Sequence, residues 1–363
     1  MRTSLLRRFC YAAFGGLVAT LGVEVQAGES MTRLPSPESY INQTEGNWTV
    51  RGQSEEYTPV SVTVSDNNAL TSGDAPAACS SCCDDCCDVG NWRDNTIGWI
   101  GGDAFKSVGD YTVPPGPSAG YMNSAGIVSG LNTGFRIGNS RVRGQIGGSY
   151  GVYDLKGRDT VSPSSSEQQT FITIALYKRS DISNDERISW GLGFDQLFDH
   201  QYGMLAQEVY LTQLRGILGY AINDCYEVGF WGTLHTNNDS TIAPGGGIYR
   251  AQNQFNTYIR HNWDFGGTTM AYVGLIDHAD TGNWVAGYLG QAPLSDYVSL
   301  YGNMTLVFPS SKTGAVGSNE HEWNFGMGLS YSFGGKASSS TVSGNAGLPL
   351  LPVANNGSFI IGR

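Results

Sequence analysis

Glu322-Trp323-Asn324-Phe325-Gly326-Met327-Gly328-Leu329-Ser330-Tyr331-Ser332-Phe333 is the stretch on which the fold turns. Side chains alternate sides along a strand, so Phe325, Met327, Leu329, Tyr331 and Phe333 share one face while Gly326, Gly328, Ser330 and Ser332 share the other. One face is oily and continuous; the other is tiny and weakly polar. A soluble sheet usually sets charges opposite its core. A bulky apolar stripe backed by small polar residues is the division a membrane-spanning barrel strand makes between lipid and lumen.

The same division recurs upstream. Val142, Ile146, Tyr150 and Val152 oppose Arg141, Arg143, Gln145 and Ser149; Ile188, Trp190, Leu192 and Phe194 oppose Arg187, Ser189, Gly191, Gly193 and Asp195; Tyr226, Val228, Phe230 and Leu234 oppose Glu227, Gly229, Thr233 and His235. Strands are expected near 97–104, 125–137, 140–152, 169–179, 186–198, 206–221, 225–236, 251–264, 268–278, 283–290, 296–308 and 322–333, a working count of twelve, with ten as the alternative. Stretches 169–179 and 268–278 are apolar on both faces and fit less cleanly. Short connections, such as Gly138-Asn139 and Gly266-Gly267, alternate with longer ones such as 106–124, 154–168, 237–250 and 309–321, as when one barrel rim carries tight turns and the other long loops. A two-residue turn at Gly138-Asn139 pairs Ile137 with Ser140, Arg136 with Arg141 and Gly134 with Arg143. The fold class expected is all-β, a closed antiparallel up-and-down transmembrane β-barrel over 97–333. A soluble β-sandwich or propeller is the rival, but no blade-length repeat is found and the strands are long for a sandwich.

Gly328-x-x-Tyr331-x-Phe333 resembles the closing-strand signal of bacterial outer-membrane β-barrel proteins, a glycine before two alternating aromatics. The resemblance implies an outer-membrane location, a lipid bilayer as partner, and a porin-like channel for small solutes or ions. The alternatives are a barrel enzyme (lipase or protease) or a soluble secreted binding protein. That signal normally ends a chain, whereas here 334–363 follow as a C-terminal tail. Its Leu351-Pro352-Val353-Ala354-Asn355-Asn356-Gly357-Ser358-Phe359 run is similar to a planctomycete-type barrel family, which implies no activity. A disordered end is the simplest reading of the tail, with a plug or an anchoring peptide as alternatives.

At the other end, Arg2, Arg7 and Arg8 precede an apolar run from Phe9 to Val23, and Val25-Gln26-Ala27 offers small residues for cleavage, so 1–27 is expected to be a signal peptide. An N-terminal anchor is the alternative. Residues 28–96 read as a polar, weakly ordered leader. Beyond the signal no apolar run is long enough for a transmembrane helix. Glycine at 50 residues with 19 Tyr, 14 Phe and 8 Trp, against 15% charged residues, fits closely packed strands. The net charge of −11 and the lack of a basic run argue against a nucleic-acid partner.

Strand parity places Arg136, Arg141, Arg143, Arg187, Arg215, Glu227 and Arg260 toward the lumen, and with fewer inward acids an open pore is expected to prefer anions. Cys79, Cys82, Cys83, Cys86 and Cys87 form a cluster with two C-x-x-C spacings. Export to an oxidising compartment favours disulfides; two thiolates at that spacing also suit a tetrahedral metal, though no His is near. Asp199-His200 and Asp277-His278 lie near rims, but neighbours on a strand point to opposite faces, so no catalytic residue is assigned. No cofactor motif is present and the oligomeric state is open.

Overall fold

The computed structural model describes residues 92–107, 123–154, 166–203, 206–242, 248–277, 282–308, 322–337 and 347–362. The expected signal peptide and the Cys79–Cys87 cluster lie outside the described residues.

Twelve strands close into one antiparallel barrel: β1 (Thr96–Lys106), β2 (Ser124–Arg136), β3 (Arg143–Tyr153), β4 (Glu167–Lys178), β5 (Ile188–Tyr202), β6 (Gln207–Ala221), β7 (Tyr226–His235), β10 (Gln254–Asn262), β11 (Thr268–Ile276), β12 (Trp284–Pro293), β13 (Val298–Phe308) and β14 (Glu322–Ser332). Neighbours in sequence are neighbours in the wall, except that β7 pairs with β10 because β8 (Asn238–Ile242) and β9 (Ile248–Ala251) form a separate small sheet between them. The barrel is closed by β1 against β14, with Gly101 opposite Gly328 and Ile97 opposite Ser332. Closure satisfies both edges that an open sheet would leave unpaired. The count is twelve, not ten. Where a plain loop is expected at 237–250, the structure has the β8–β9 hairpin.

The β2–β3 register differs from expectation. Arg136 faces Arg143 and Phe135 faces Gly144, two residues further along than a two-residue turn would give. The tight turn does form, with Ser140 N–H donating to Ile137 O, but Arg141 then leaves the ladder to ion-pair with Glu186 at 2.6 Å. A slip of two keeps every side chain on its face, whereas a slip of one would have inverted the strand.

The outer surface is apolar and exposed: Ile100, Leu131, Ile174, Leu218, Met327 and Leu329 are each about half accessible, and Phe230 is 63% exposed. Aromatic side chains border this band at both ends. Phe135, Tyr220, Tyr226, Tyr297, Tyr331 and Phe333 ring the end with short turns, and Tyr150, Phe198, Tyr210, Phe255, Trp284 and Phe308 the end with longer connections. No helix among the described residues is long and apolar enough to cross a membrane.

The interior is occupied by the chain's own C-terminal segment. Residues 347–362 run through the lumen from the short-turn end to the other, and their last two form β15 (Ile361–Gly362), which pairs with β9. A disordered tail is therefore overturned for these residues. Val353, Ala354, Phe359 and Ile361 pack with Phe171, Leu197, Leu211 and Tyr249 in one buried cluster, and Leu350, Leu351 and Ile360 pack with Ala175, Tyr177, Trp231 and Tyr272 in a second.

Candidate functional site: the occupied lumen

The lumen wall reads the tail chiefly through its backbone. At the short-turn end the Tyr177 hydroxyl donates to Gly347 O at 3.0 Å, and Arg179 donates through Nε to Leu348 O at 2.8 Å and through its terminal nitrogen to Pro349 O. Arg179 lies just past β4, and burial lowers its pKa to about 10, which still leaves it cationic at neutral pH. Further in, the Gln145 amide meets Leu351 on both sides, donating to its carbonyl at 2.6 Å and accepting from its N–H at 3.2 Å, while Asn132 Nδ2 donates to the same carbonyl at 3.0 Å. This is the pairing a neighbouring strand would offer, supplied by side chains. Arg215 donates to Pro352 O at 2.7 Å, and Thr173 Oγ1 accepts from Ala354 N–H at 3.0 Å.

Past Ala354 the chain turns. Asn355 Oδ1 accepts from the N–H groups of Gly357 and Ser358, and Phe359 N–H donates to Asn355 O. The turn presents the Asn356 amide, which donates to Asp103 at 3.1 Å and to Gln169 Oε1 at 2.8 Å. Gln213 and Gln254 both donate to Ser358 O, Gln252 N–H donates to Ile360 O at 2.8 Å, and the β9–β15 pair completes the set. Gln145, Gln169, Gln213, Gln254 and Thr173 are fully buried, so each would carry a desolvation cost without these partners.

Two glycines make the room. A Cβ at Gly134 would lie 2.6 Å from Gly347 O, and one at Gly147 would lie 2.5 Å from Val353 Cγ2. The Gly147-Gly148 doublet thus serves close packing, with Gly147 against the tail. Opposite, the small stripe of β14 holds back from the tail. Gly326, Ser330 and Ser332, with Met270, Leu289 and Tyr301, border a cavity of about 370 Å³ whose other wall is the tail.

Of the seven side chains placed toward the lumen from sequence, Arg215, Glu227 and Arg260 line this cavity. Arg215 pairs with Asp195 at 3.0 Å, and Arg260 with Glu227 at 2.8 Å; Glu227 also accepts from Tyr258 and Ser189. Arg136, Arg141, Arg143 and Arg187 instead sit at the short-turn rim. Arg136 and Arg141 are exposed, and Arg187 donates to Ile222 O. Parity tells which face a residue takes but not how far along the barrel it stands. The inner two, Arg215 and Arg260, are each matched by a carboxylate.

Asp199 and His200 diverge. Asp199 is buried and accepts from Gln169, whereas His200 is exposed and faces Glu208 at 3.2 Å. His278 lies outside the described residues. Among the described residues no group of His, Cys, Asp and Glu could hold a metal, and Cys225 is half-buried with a free thiol. The tail contacts were missed from sequence, although β4 carried their signal. Phe171, Ala175 and Tyr177 on its inner face are out of place in a water-filled lumen and require an apolar occupant.

These features define a closed antiparallel barrel with its own C-terminal segment threaded through it. A family described as "Family of unknown function (DUF6666)" matches residues 95–361, and the chain belongs to that family. The match takes in the threaded segment as well as the barrel. No curated protein matches the chain. Solved structures similar to it include the outer membrane phospholipase A from Escherichia coli (12% identity, 65% of this chain and 95% of that one, TM-score 0.40). Others are the KdgM porin (10%, 65% and 98%, 0.37) and a mutant of the TodX monoaromatic hydrocarbon channel (8%, 65% and 88%, 0.37). Likenesses of this size carry no argument about activity.

Proposed function

We propose that this protein is an integral outer-membrane β-barrel, porin-like in architecture, whose route for small solutes is closed by its own C-terminal segment. The observation that carries the reading is the apolar outer band bordered by an aromatic ring at each end. Such a surface is unfavourable in water over so large a continuous area and matches the hydrocarbon and interface zones of a bilayer. A soluble β-protein would turn these stripes toward one another in a core; here they face outward all round the barrel. The short-turn rim is assigned to the periplasm, as in barrels whose tight turns face that side. The resemblance of the tail to planctomycete-type barrels belongs to the same reading.

Three measurements test it. Detergent-solubilised protein should show heat-dependent gel mobility, and lipid-phase quenchers should reach probes at Phe230 and Leu329. In planar bilayers the full chain should insert yet show little steady conductance. A protein that stays monodisperse without detergent, with probes at those positions unquenched, would remove the membrane reading; a steady open channel would remove the closed one.

A further inference from the structure

We infer that the lumen is a peptide-binding site, and that residues 347–362 occupy it as a separable ligand and not as part of the wall. The barrel ladder runs unbroken from β1 round to β14 and back without any contribution from the tail. Removing the tail therefore breaks no bond of the wall. What it would break are contacts of the kind that bind a peptide in a groove: side chains meeting backbone polar groups, alternate apolar side chains in pockets, and one short stretch of strand addition. Gln145 on Leu351, Arg179 on Leu348 and Pro349, and Asn132 on Leu351 supply the first. The pockets lie around Phe171, Tyr177 and Tyr249, and β15 on β9 is the strand addition.

The specificity of the site lies in the turn. Backbone contacts suit any extended peptide, whereas Asn356 offers an amide to Asp103 and Gln169, and Gly357 sits where a Cβ would lie 2.4 Å from Thr305 Oγ1. The preferred ligand is thus an extended apolar peptide followed by an Asn-Asn-Gly turn and a short apolar end. It comes in from the short-turn side, because Gly347 lies at that rim and Ile361 reaches the β8–β9 sheet at the other. The conductance and gel-mobility readouts rest on the membrane reading; saturable peptide binding does not.

A protease site built into residues 338–346 allows the folded full chain to be cut after the barrel has formed. In detergent, the cut protein should release the tail fragment on dilution and then bind a fluorescein-labelled synthetic peptide of residues 347–363 saturably. Asn356→Ala in the peptide, N-methylation at Leu351, or Gln145→Ala in the barrel should each weaken binding by about tenfold, as expected for loss of one or more buried hydrogen bonds. In a bilayer, the cut and washed barrel should conduct, and peptide added on the short-turn side alone should close it. Three outcomes would overturn the inference: a fragment retained through exhaustive washing, a barrel that loses its heat-modifiable form once the fragment leaves, or equal affinity for a scrambled peptide. Saturable, sequence-dependent binding in detergent without any conductance would sustain the peptide site and remove the channel reading instead.

Discussion

Two parts of the lumen wall treat the tail in opposite ways. From β2 to β6 the inward residues include Asn132, Gln145, Thr173, Tyr177, Gln213 and Arg215, polar or aromatic side chains that end on the tail. On β14, past Asn324, they are Gly326, Gly328, Ser330 and Ser332, with a cavity between much of this stripe and the tail. Both walls obey the same alternation and both hide behind an apolar outer face. The difference teaches that the outer stripe of a barrel strand reports its solvent, while the inner stripe reports what fills the lumen.

The largest effect that would sharpen this contrast is expected at Arg215. It is almost wholly buried and holds both Asp195 and the Pro352 carbonyl. Arg215→Ala leaves a buried carboxylate without its cation and should cost about 3–5 kcal/mol, read by urea unfolding in detergent micelles. An effect under about 1 kcal/mol would mean that the lumen is wet and the tail loosely held. On the outer face, Leu329→Arg should cost about 2–4 kcal/mol in lipid if it sits near the midplane, falling toward zero at a rim. Equal stability at every depth would break the assignment of that face to lipid.

Small residues on the two walls give a finer comparison. Gly147→Ala drives a methyl into Val353 and should destabilise by about 1–3 kcal/mol. Ser330→Ala, across the cavity, should stay within about 0.5 kcal/mol. Similar losses at both sites would mean that the walls are equivalent after all.

The smallest effect lies at the rim. Hydrogen bonds from Arg141 and Lys178 hold the Glu186 carboxyl below the usual carboxylate range. A depressed folded pKa gives stability that is present above the unfolded value and is lost as pH falls through the folded one. The gap in unfolding midpoint between the wild type and Glu186→Gln should therefore be small at neutral pH and should close below about pH 4.5, the ordinary value for this group. A gap that widened in acid would contradict the pairing.

How much of this was legible depends on what each signal encodes. The twelve strands could be read because each has a solvent boundary on one face, and strand–face alternation survives even a two-residue slip such as that of Arg136 from Arg141 to Arg143. The rim positions of Arg136, Arg141, Arg143 and Arg187 could not, because alternation carries no height. β8, β9 and β15 are too short for a period to show, and β15 exists only because the tail brings Ile361 to Ala251 across the lumen. The tail itself was half legible. Its sequence lacks periodicity, but the inward Phe171, Ala175 and Tyr177 of β4 and Met270, Tyr272 and Ile276 of β11 announced that something apolar stood opposite.

The most direct test of the threaded lumen is a pair of cysteines, Gly147→Cys with Val353→Cys, in a background where Cys79, Cys82, Cys83, Cys86, Cys87 and Cys225 are all replaced by Ser. A Cβ at position 147 would lie 2.5 Å from Val353 Cγ2, so the two thiols meet only if the tail runs inside the barrel along β3. The expected result in folded, membrane-inserted protein is an intramolecular disulfide that holds fragment 347–363 to the barrel after cleavage within 338–346. Two free thiols, both open to a membrane-impermeant maleimide, would contradict it.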